Sequence, residues 1–457
     1  MSQEIKFFTI LLISVLTAAH AGESARESGT TGDSEKTERG KISGDNALAL
    51  SLDDALERVE SVSPAVLLQR ERVRQVLERS YQQRAALLPQ ISAHAEQRRQ
   101  QLGRGFAGGG LEAPPFNAFT SRVEGRLAIV DTDSYANYRI AELEHAVSRM
   151  EYEEALESIK EQTIFLYLTH LRDLRKVGII EGNIEREREL LELARDQLEA
   201  GAAVEIDVTR AQVRLARERR RLLQARTEVE NSLLELKALL DIEAEREVIA
   251  EESLLRSGDQ PQPFAQEEPV KAALGRRPEL RSSEKGLEQA RLSRKAAGWQ
   301  RLPQVELFGE WGYDSDEPLD GQEGEAWLVG LRASIPIFEG FRIGAEKREA
   351  DAAIREKEYA LRDLENEIER EIRFARVEMK SRFEQIAIAR DEVRLGRAEV
   401  GQARERYDAG LGDNRELIDA QQRLADAEDS RLDATYLYGL SRLSYARAAG
   451  DVERIFD

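Results

Sequence analysis

Residue types that bind catalytic metals are scarce in this sequence. The chain has no cysteine and four histidines, one of which, His20, lies in the apolar segment at the start. The other three, His94, His145 and His170, show neither the HxxxH nor the HExxH spacing of a metal site on a helix. We therefore predict no metal site and no bound cofactor.

Other common patterns of catalytic and nucleic-acid-binding sites are also missing from the sequence. The glycines at 108–110 are not followed by the lysine and hydroxyl residue of a phosphate-binding loop. With 87 acidic residues in the chain, any given pair of carboxylates is expected by chance. The net charge of -20 argues against nucleic-acid binding, because phosphate contacts need a basic surface. The sequence thus predicts a protein that is not an enzyme and binds no nucleic acid.

One group of acidic residues is distinguished by its position after a glycine turn. In the segment DAGLGDNRELIDAQ, residues 408–421, Asp413 and Glu416 are spaced like the cap and the first-turn carboxylate of a helix. That role does not explain Asp419, which follows Glu416 by three residues and so shares its helix face.

The same turn occurs twice in the chain. A similar segment, EAGAAVEIDVTRAQ, occupies residues 199–212, and its Gly201 corresponds to Gly410, 209 residues later. A second echo relates residues 63–91 to residues 277–305, in which both prolines are displaced by 214. The chain is therefore a tandem duplication. We expect a first repeat at 47–256, a linker at 257–270 and a second repeat at 271–457.

Long helices must position these turns. Each repeat contains about seventy residues without proline, at 131–200 and 339–409, which as one helix would be about 100 Å long. After each turn, apolar or small residues recur at every seventh position, the pattern of a coiled-coil seam. The two tracks are Val208, Leu215, Leu222, Val229 and Leu236, and then Ala420, Ala427, Ala434, Ser441 and Ala448. The fold class is therefore mainly α, with long coiled-coil helices.

Two pairs of segments with alternating apolar and polar residues interrupt the helices. The clearer pair, at 304–313 and 327–335, lies in the second repeat, and a weaker pair lies at 91–96 and 122–129. Each candidate strand is about as long as a tilted membrane-spanning strand. The residues that we expect to face lipid are Val305, Leu307, Trp311, Trp327, Val329 and Leu331.

A half-buried strand of a soluble sheet would show the same alternation, but the aromatic residues favour a membrane. They flank the apolar band at both ends, as Trp311, Tyr313 and Trp327 and as Trp299, Phe338 and Phe341. Four strands cannot close a barrel, and open sheet edges are not tolerated in lipid, so the chain must oligomerise.

The start of the chain has the features of an export signal. Residues 1–21 combine one lysine, an apolar run and a small-x-small site, which predicts a signal peptide, and residues 22–46 predict a flexible leader. In the chain as a whole, 34% of residues are charged and 6% are aromatic, a composition typical of long exposed helices.

Three motifs resemble the TolC-like outer-membrane factor (outer membrane efflux protein) family. They are LPQ at 88–90 and 302–304, GLRASIPIFEGFR at 330–342 and RYDAGLGDNRELIDAQQRLADAE at 406–428, and the likeness runs from about residue 52 to 450. The resemblance implies a homotrimer with a twelve-stranded β-barrel in the outer membrane, continuous with an α-helical barrel in the periplasm. It implies an exit duct of a tripartite efflux pump or type I secretion system. The partners would be a periplasmic adaptor, an inner-membrane transporter and outer-membrane lipid.

The resemblance also suggests roles for the turns. It implies a channel constriction formed by Asp207, Tyr407, Glu416 and Asp419. It implies adaptor docking at Gly201, Ala202, Gly410 and Leu411, although a left-handed glycine that ends a helix would explain the two glycines as well. An arginine often found in the family just after the turn glycine is replaced here by Gly412, which suggests a tip that opens more easily.

A secreted coiled-coil scaffold, such as a fibre or adhesin stalk, is the competing interpretation. It would explain the heptads and the charge. It would not explain two strand pairs bounded by tryptophan.

Overall fold

The computed structural model describes residues 48–101, 115–201, 204–251, 270–316, 324–409, 411 and 414–453. Contacts divide the chain into a small unit, Met1–Ser51 with Glu245–Glu251, and a large unit, Leu52–Ala244 with Glu252–Asp457. The predicted signal peptide and leader, and nearly all of the predicted linker, lie outside the described residues.

In the small unit, strands β1 (Leu48–Leu50) and β4 (Val248–Ala250) form a parallel two-stranded sheet. The sequence analysis missed both strands, because three residues are too few to show an alternating pattern.

The large unit repeats one order of elements. Each half has two helices, two strands, a helix of nearly seventy residues and a returning helix of 35 residues. In the first half the elements are α1 (Leu52–Val62), α2 (Pro64–Ala85), β2 (Gln90–Gln100), β3 (Phe116–Val130), α3 (Thr132–Glu199) and α4 (Glu205–Leu239). In the second half they are α5 (Val270–Arg276), α6 (Pro278–Trp299), β5 (Gln304–Ser315), β6 (Gly324–Ser334), α7 (Arg342–Asp408) and α8 (Asn414–Ala448).

A capping residue and a glycine mark the two ends of the long helix α3. The Asp131 carboxylate caps α3 by accepting hydrogen bonds from the amides of Asp133 and Ser134, at 3.1 and 3.0 Å. The helix ends at Glu199 and is followed, after Ala200, by Gly201, whose φ of 74° is left-handed and suits a glycine. With 68 and 67 residues, α3 and α7 are each about 100 Å long, as the proline-free stretches predicted.

The returning helices pack along the predicted heptad tracks. In α4, Leu215 and Leu236 are buried, and Leu215 packs in one cluster with Ile180 and Ile184 of α3. In α8, Ala420 is fully buried. In α8 the track consists of small residues, which let neighbouring helix backbones approach closely.

The other four strands form a single antiparallel sheet in the order β2-β3-β5-β6. A bulge between Ala128 and Val130 ends the regular pairing of β3 with β5. In the described part of the chain, no helix is both long enough and apolar enough to cross a membrane.

Candidate functional site

The strand register places all six residues predicted to face lipid on one side of the sheet. Leu307 lies opposite Leu331 and Trp311 opposite Trp327, while Val305 and Val329 pair with Ala333 and Gly309. Directly paired residues point to the same face, and so do residues two apart along a strand. Trp327, Val329 and Leu331 are 70%, 59% and 68% exposed, so this apolar face is uncovered in the single chain.

The opposite face of the sheet is charged. Arg122 of β3 forms ion pairs with Glu310 and Asp314 of β5, at 3.6 and 3.1 Å. Arg332 of β6 pairs with Glu306 of β5 at 3.4 Å. A sheet with one exposed apolar face and one charged face suits a boundary between lipid and water.

Aromatic side chains lie at both ends of the apolar face. Near the loop between β5 and β6, the Trp311 ring meets Tyr313 edge-on at 5.0 Å, and its indole N–H donates to Glu325. At the helix end, Phe338 and Phe341 meet edge-on at 5.5 Å, with 72% and 80% of each side chain exposed. Aromatic side chains that contact apolar groups on one side and water on the other are typical of the two interfaces of a membrane.

The turn between α7 and α8 exposes the leucine predicted to dock a partner. Leu411 is 74% exposed, and its amide donates to the Arg406 carbonyl at 2.8 Å, the longer-range hydrogen bond of a Schellman helix end. The predicted docking residues Ala202 and Gly410 lie outside the described residues, whereas Gly201 follows the end of α3 at the corresponding turn.

The two acids predicted at the constriction share one exposed face of α8. Glu416 and Asp419 are exposed, whereas Leu417, Ile418 and Ala420 between and beside them are buried in the hairpin core. The three-residue spacing therefore places both carboxylates outside that core. Asp413, which the sequence suggested as a cap, lies outside the described residues.

The other two predicted constriction residues lie close to each other. Tyr407 is 7% exposed and packs with Leu190 and Leu417 in the core where α3, α7 and α8 meet. Burial raises the pKa of Tyr407, and the charges of Asp207 and Asp408 raise it further. The Asp207 carboxylate pairs with Arg210 at 3.4 Å. Tyr407 thus lies beside Asp207 but inside the core, and not on the exposed face that carries Glu416 and Asp419.

Sequence reasoning missed the arginines that connect the helices near this turn. Arg406 Nε of α7 lies 3.1 Å from Glu416 Oε1 of α8. Arg214 of α4 donates to the Ile418 carbonyl at 3.3 Å, which joins the first half of the chain to the second. The sequence carries no signal for such pairs, because each of its 67 basic residues has many possible acidic partners.

Within the described ranges, no group of three histidine, cysteine or acidic side chains is placed to hold a metal ion. The geometry instead combines a two-faced sheet with long helical hairpins that end in turns with exposed acids.

Comparison with known proteins places this arrangement in a family. The family model described as outer membrane efflux protein matches residues 55–241 and 270–451, which is most of the chain. The chain belongs to the outer membrane efflux protein family. As a member of this family it is an exit duct in the outer membrane.

Relatives in this family are similar in sequence and fold. The alkaline protease secretion protein AprF of Pseudomonas aeruginosa is 23% identical over 337 residues, which cover 72% of this chain and 69% of the relative. The Campylobacter jejuni CmeC outer membrane channel has the same fold, with a TM-score of 0.73, 20% identity and 88% of each chain covered. The outer membrane protein VceC of Vibrio cholerae matches with a TM-score of 0.74, 17% identity and 88% and 96% of the two chains covered.

Proposed function

We propose that three copies of this chain form the duct, with their sheets joined into one twelve-stranded barrel. The four-stranded sheet is the main support for this proposal, because it has an exposed apolar face, a charged opposite face and two edges. In lipid, backbone groups on an open edge have no water to bond with, and each unpaired group costs several kcal/mol.

The edges suggest how the copies join. Strands β2 and β6 are the outer strands of the sheet. Pairing β6 of one copy with β2 of the next would continue the antiparallel order around a closed ring. Bacterial barrels begin at eight strands, so one copy is too few, whereas three copies give a barrel wide enough to hold a water-filled lumen. The charged face would line that lumen, and the apolar face would meet lipid.

The helices would continue the duct into the periplasm. The hairpins α3–α4 and α7–α8 would line a helical barrel, and their turns would meet a periplasmic adaptor that links the duct to an inner-membrane transporter. Docking would use Gly201, Ala202, Gly410 and Leu411. AprF is named for the secretion of a protease, and CmeC is named as an outer membrane channel. These names support a role for the chain in either a type I secretion system or an efflux pump.

A ring of acids would narrow the duct at the turns. In a trimer, Glu416 and Asp419 would contribute six carboxylates around one axis, with Asp207 and Tyr407 close by. Such a ring attracts cations and repels anions, so the narrow end would select for cations.

The chain would be processed at its start and organised as two repeats. The signal peptide would be residues 1–21 and the leader 22–46, followed by repeats at 47–256 and 271–457 around the linker 257–270.

Native mass spectrometry in a mild detergent tests the proposed assembly. We expect the mass of three chains, because two open edges in each copy make the monomer unstable in a membrane-like environment. A monomer that keeps its strand content under these conditions would contradict the proposal.

A further inference from the structure

On the charged face of the sheet, two large side chains lie directly over glycines of the neighbouring strand. A Cβ added at Gly330 would come within 2.6 Å of Phe308 Cζ, whereas one added at Gly312 would come within 2.1 Å of the Ser121 carbonyl oxygen and 2.8 Å of Arg122 Cγ. Gly330 therefore makes room for the Phe308 ring, which lies against the sheet surface. Gly312 makes room for the backbone of β3 as well as for the Arg122 side chain.

The surroundings of these two side chains differ. Arg122 is neutralised by two carboxylates, Glu310 and Asp314, and only 35% of its side chain is exposed. Phe308 is an apolar ring on a charged face. Arg126 of β3 and Gly330 of β6 lie opposite it in the register, and the Arg332 guanidinium carbon lies 4.8 Å from the centre of its ring.

The two arginines near Phe308 retain N–H donors that can bind an anion. Among the described residues, Arg332 makes an ion pair with Glu306 at 3.4 Å, and Arg126 makes one with Glu124 at 3.3 Å. Both arginine side chains are 66% exposed. A guanidinium has five N–H donors, so one ion pair leaves donors that can still bind an anion.

The Phe308 ring covers Gly330, which explains why it lies on the sheet. This role does not require arginines beside the ring. An aromatic ring next to guanidinium groups offers two kinds of contact to one ligand. The ring and the planar guanidinium stack on an aromatic group, and the free N–H donors bind a carboxylate or sulfonate.

We propose that Arg126, Phe308 and Arg332 form a weak binding platform for aromatic anions, such as aryl carboxylates and sulfonates. The proposal rests on the proposed function, because the trimer would place three copies of the platform on the lumen wall. A solute passing through the barrel would bind there briefly, and at high concentration it would hinder the ion current.

The test uses 1-naphthalenesulfonate as the probe and methanesulfonate as its non-aromatic counterpart. Binding of the probe is measured on the detergent-solubilised protein by its fluorescence, and current block is measured in planar bilayers. The variants are Phe308→Leu, which still covers Gly330, and Arg332→Gln. The control is Arg98→Gln, an exposed arginine on the same face of β2.

Phe308→Leu and Arg332→Gln are each expected to weaken probe binding about two- to fivefold, the effect of losing one aromatic stacking contact and one exposed cation–π contact, respectively. Arg98→Gln is expected to bind the probe as the wild type does. Methanesulfonate, which has no aromatic ring, is expected not to block the current. Wild-type binding by Phe308→Leu, or equal weakening by Arg98→Gln, would overturn the platform. A wild-type protein that binds the probe but conducts no current would support the platform and refute the proposed trimeric barrel, so the two failures are distinguishable.

Discussion

Arg406 Nε lies 3.1 Å from Glu416 Oε1, so an ion pair links the end of α7 to the start of α8 across the turn. The arginine and glutamate side chains are 55% and 44% exposed, and such a pair adds only about 0–1 kcal/mol to stability. Its importance is electrostatic, because Glu416 is one of the two acids proposed to narrow the duct.

We expect Arg406→Gln to increase cation selectivity, because it leaves the Glu416 carboxylate without its positive partner. The measurement is the zero-current potential of the reconstituted protein in a salt gradient. Arg404→Gln is the control, since Arg404 pairs with Glu189 at 3.6 Å with similar exposure. An equal shift in both variants, or none in Arg406→Gln, would count against a selective role for Glu416.

The exposed turn allows a clean test of adaptor docking. We expect Leu411→Asp to abolish crosslinking to the adaptor, because it places a charge on an apolar side chain that is 74% exposed. The helix end is held by the Leu411 amide and not by its side chain, so the trimer should assemble normally by native mass spectrometry. Undiminished crosslinking in an assembled trimer would place the docking surface elsewhere.

The two faces of β6 can be tested with one substitution at two positions. Leu331→Lys would place a charge on the face proposed to meet lipid and is expected to destabilise the proposed barrel by about 2–4 kcal/mol. Leu328→Lys is the matched control, because Leu328 lies on the charged face opposite Glu310. Guanidinium titration of the folded trimer measures both. Equal loss of stability in the two variants would mean that the faces have been assigned wrongly.

The stability of the helical region should depend on pH through Glu157 of α3. Burial raises its pKa above the usual value of 4.5, against the opposing effects of the Val452 amide, which donates to it at 3.1 Å, and of Lys160. A carboxyl with a raised folded-state pKa contributes stability below pH 4.5 that is lost as the pH rises through the folded value. At neutral pH the ionised group is therefore destabilising.

Glu157→Gln is accordingly expected to be more stable than the wild type at pH 7, by less than about 1 kcal/mol because solvent reaches part of the group. The difference should shrink as the pH falls towards 4.5. Chemical unfolding followed by helical circular dichroism measures it. Glu153→Gln, at an exposed ion pair with Arg281, serves as the control and should change little. A variant less stable than the wild type at pH 7 would contradict this account.

Local patterns in the sequence were sufficient for much of the fold. Proline-free stretches predicted α3 and α7, and the three-residue spacing of Glu416 and Asp419 predicted their common face, because these features depend on helix geometry alone. Alternation predicted the four strands of the antiparallel sheet and the shared face of the apolar residues.

Features that depend on distant residues could not be predicted in this way. Strand β1 pairs with β4, some 200 residues away, and neither is long enough to show a pattern. The ion pair between Arg406 and Glu416 joins residues on either side of the turn, and no local pattern selects this pair. The burial of Tyr407 follows from the packing of three helices, which no local pattern in the sequence encodes.

The most direct test of the duct is the current through the purified wild-type oligomer in a planar bilayer. We predict discrete conductance steps that favour cations over anions, with selectivity lost in the double variant Glu416→Ala/Asp419→Ala. Protein that stays soluble without detergent, or that inserts into the bilayer without producing steps, would contradict the exit duct and favour a secreted scaffold.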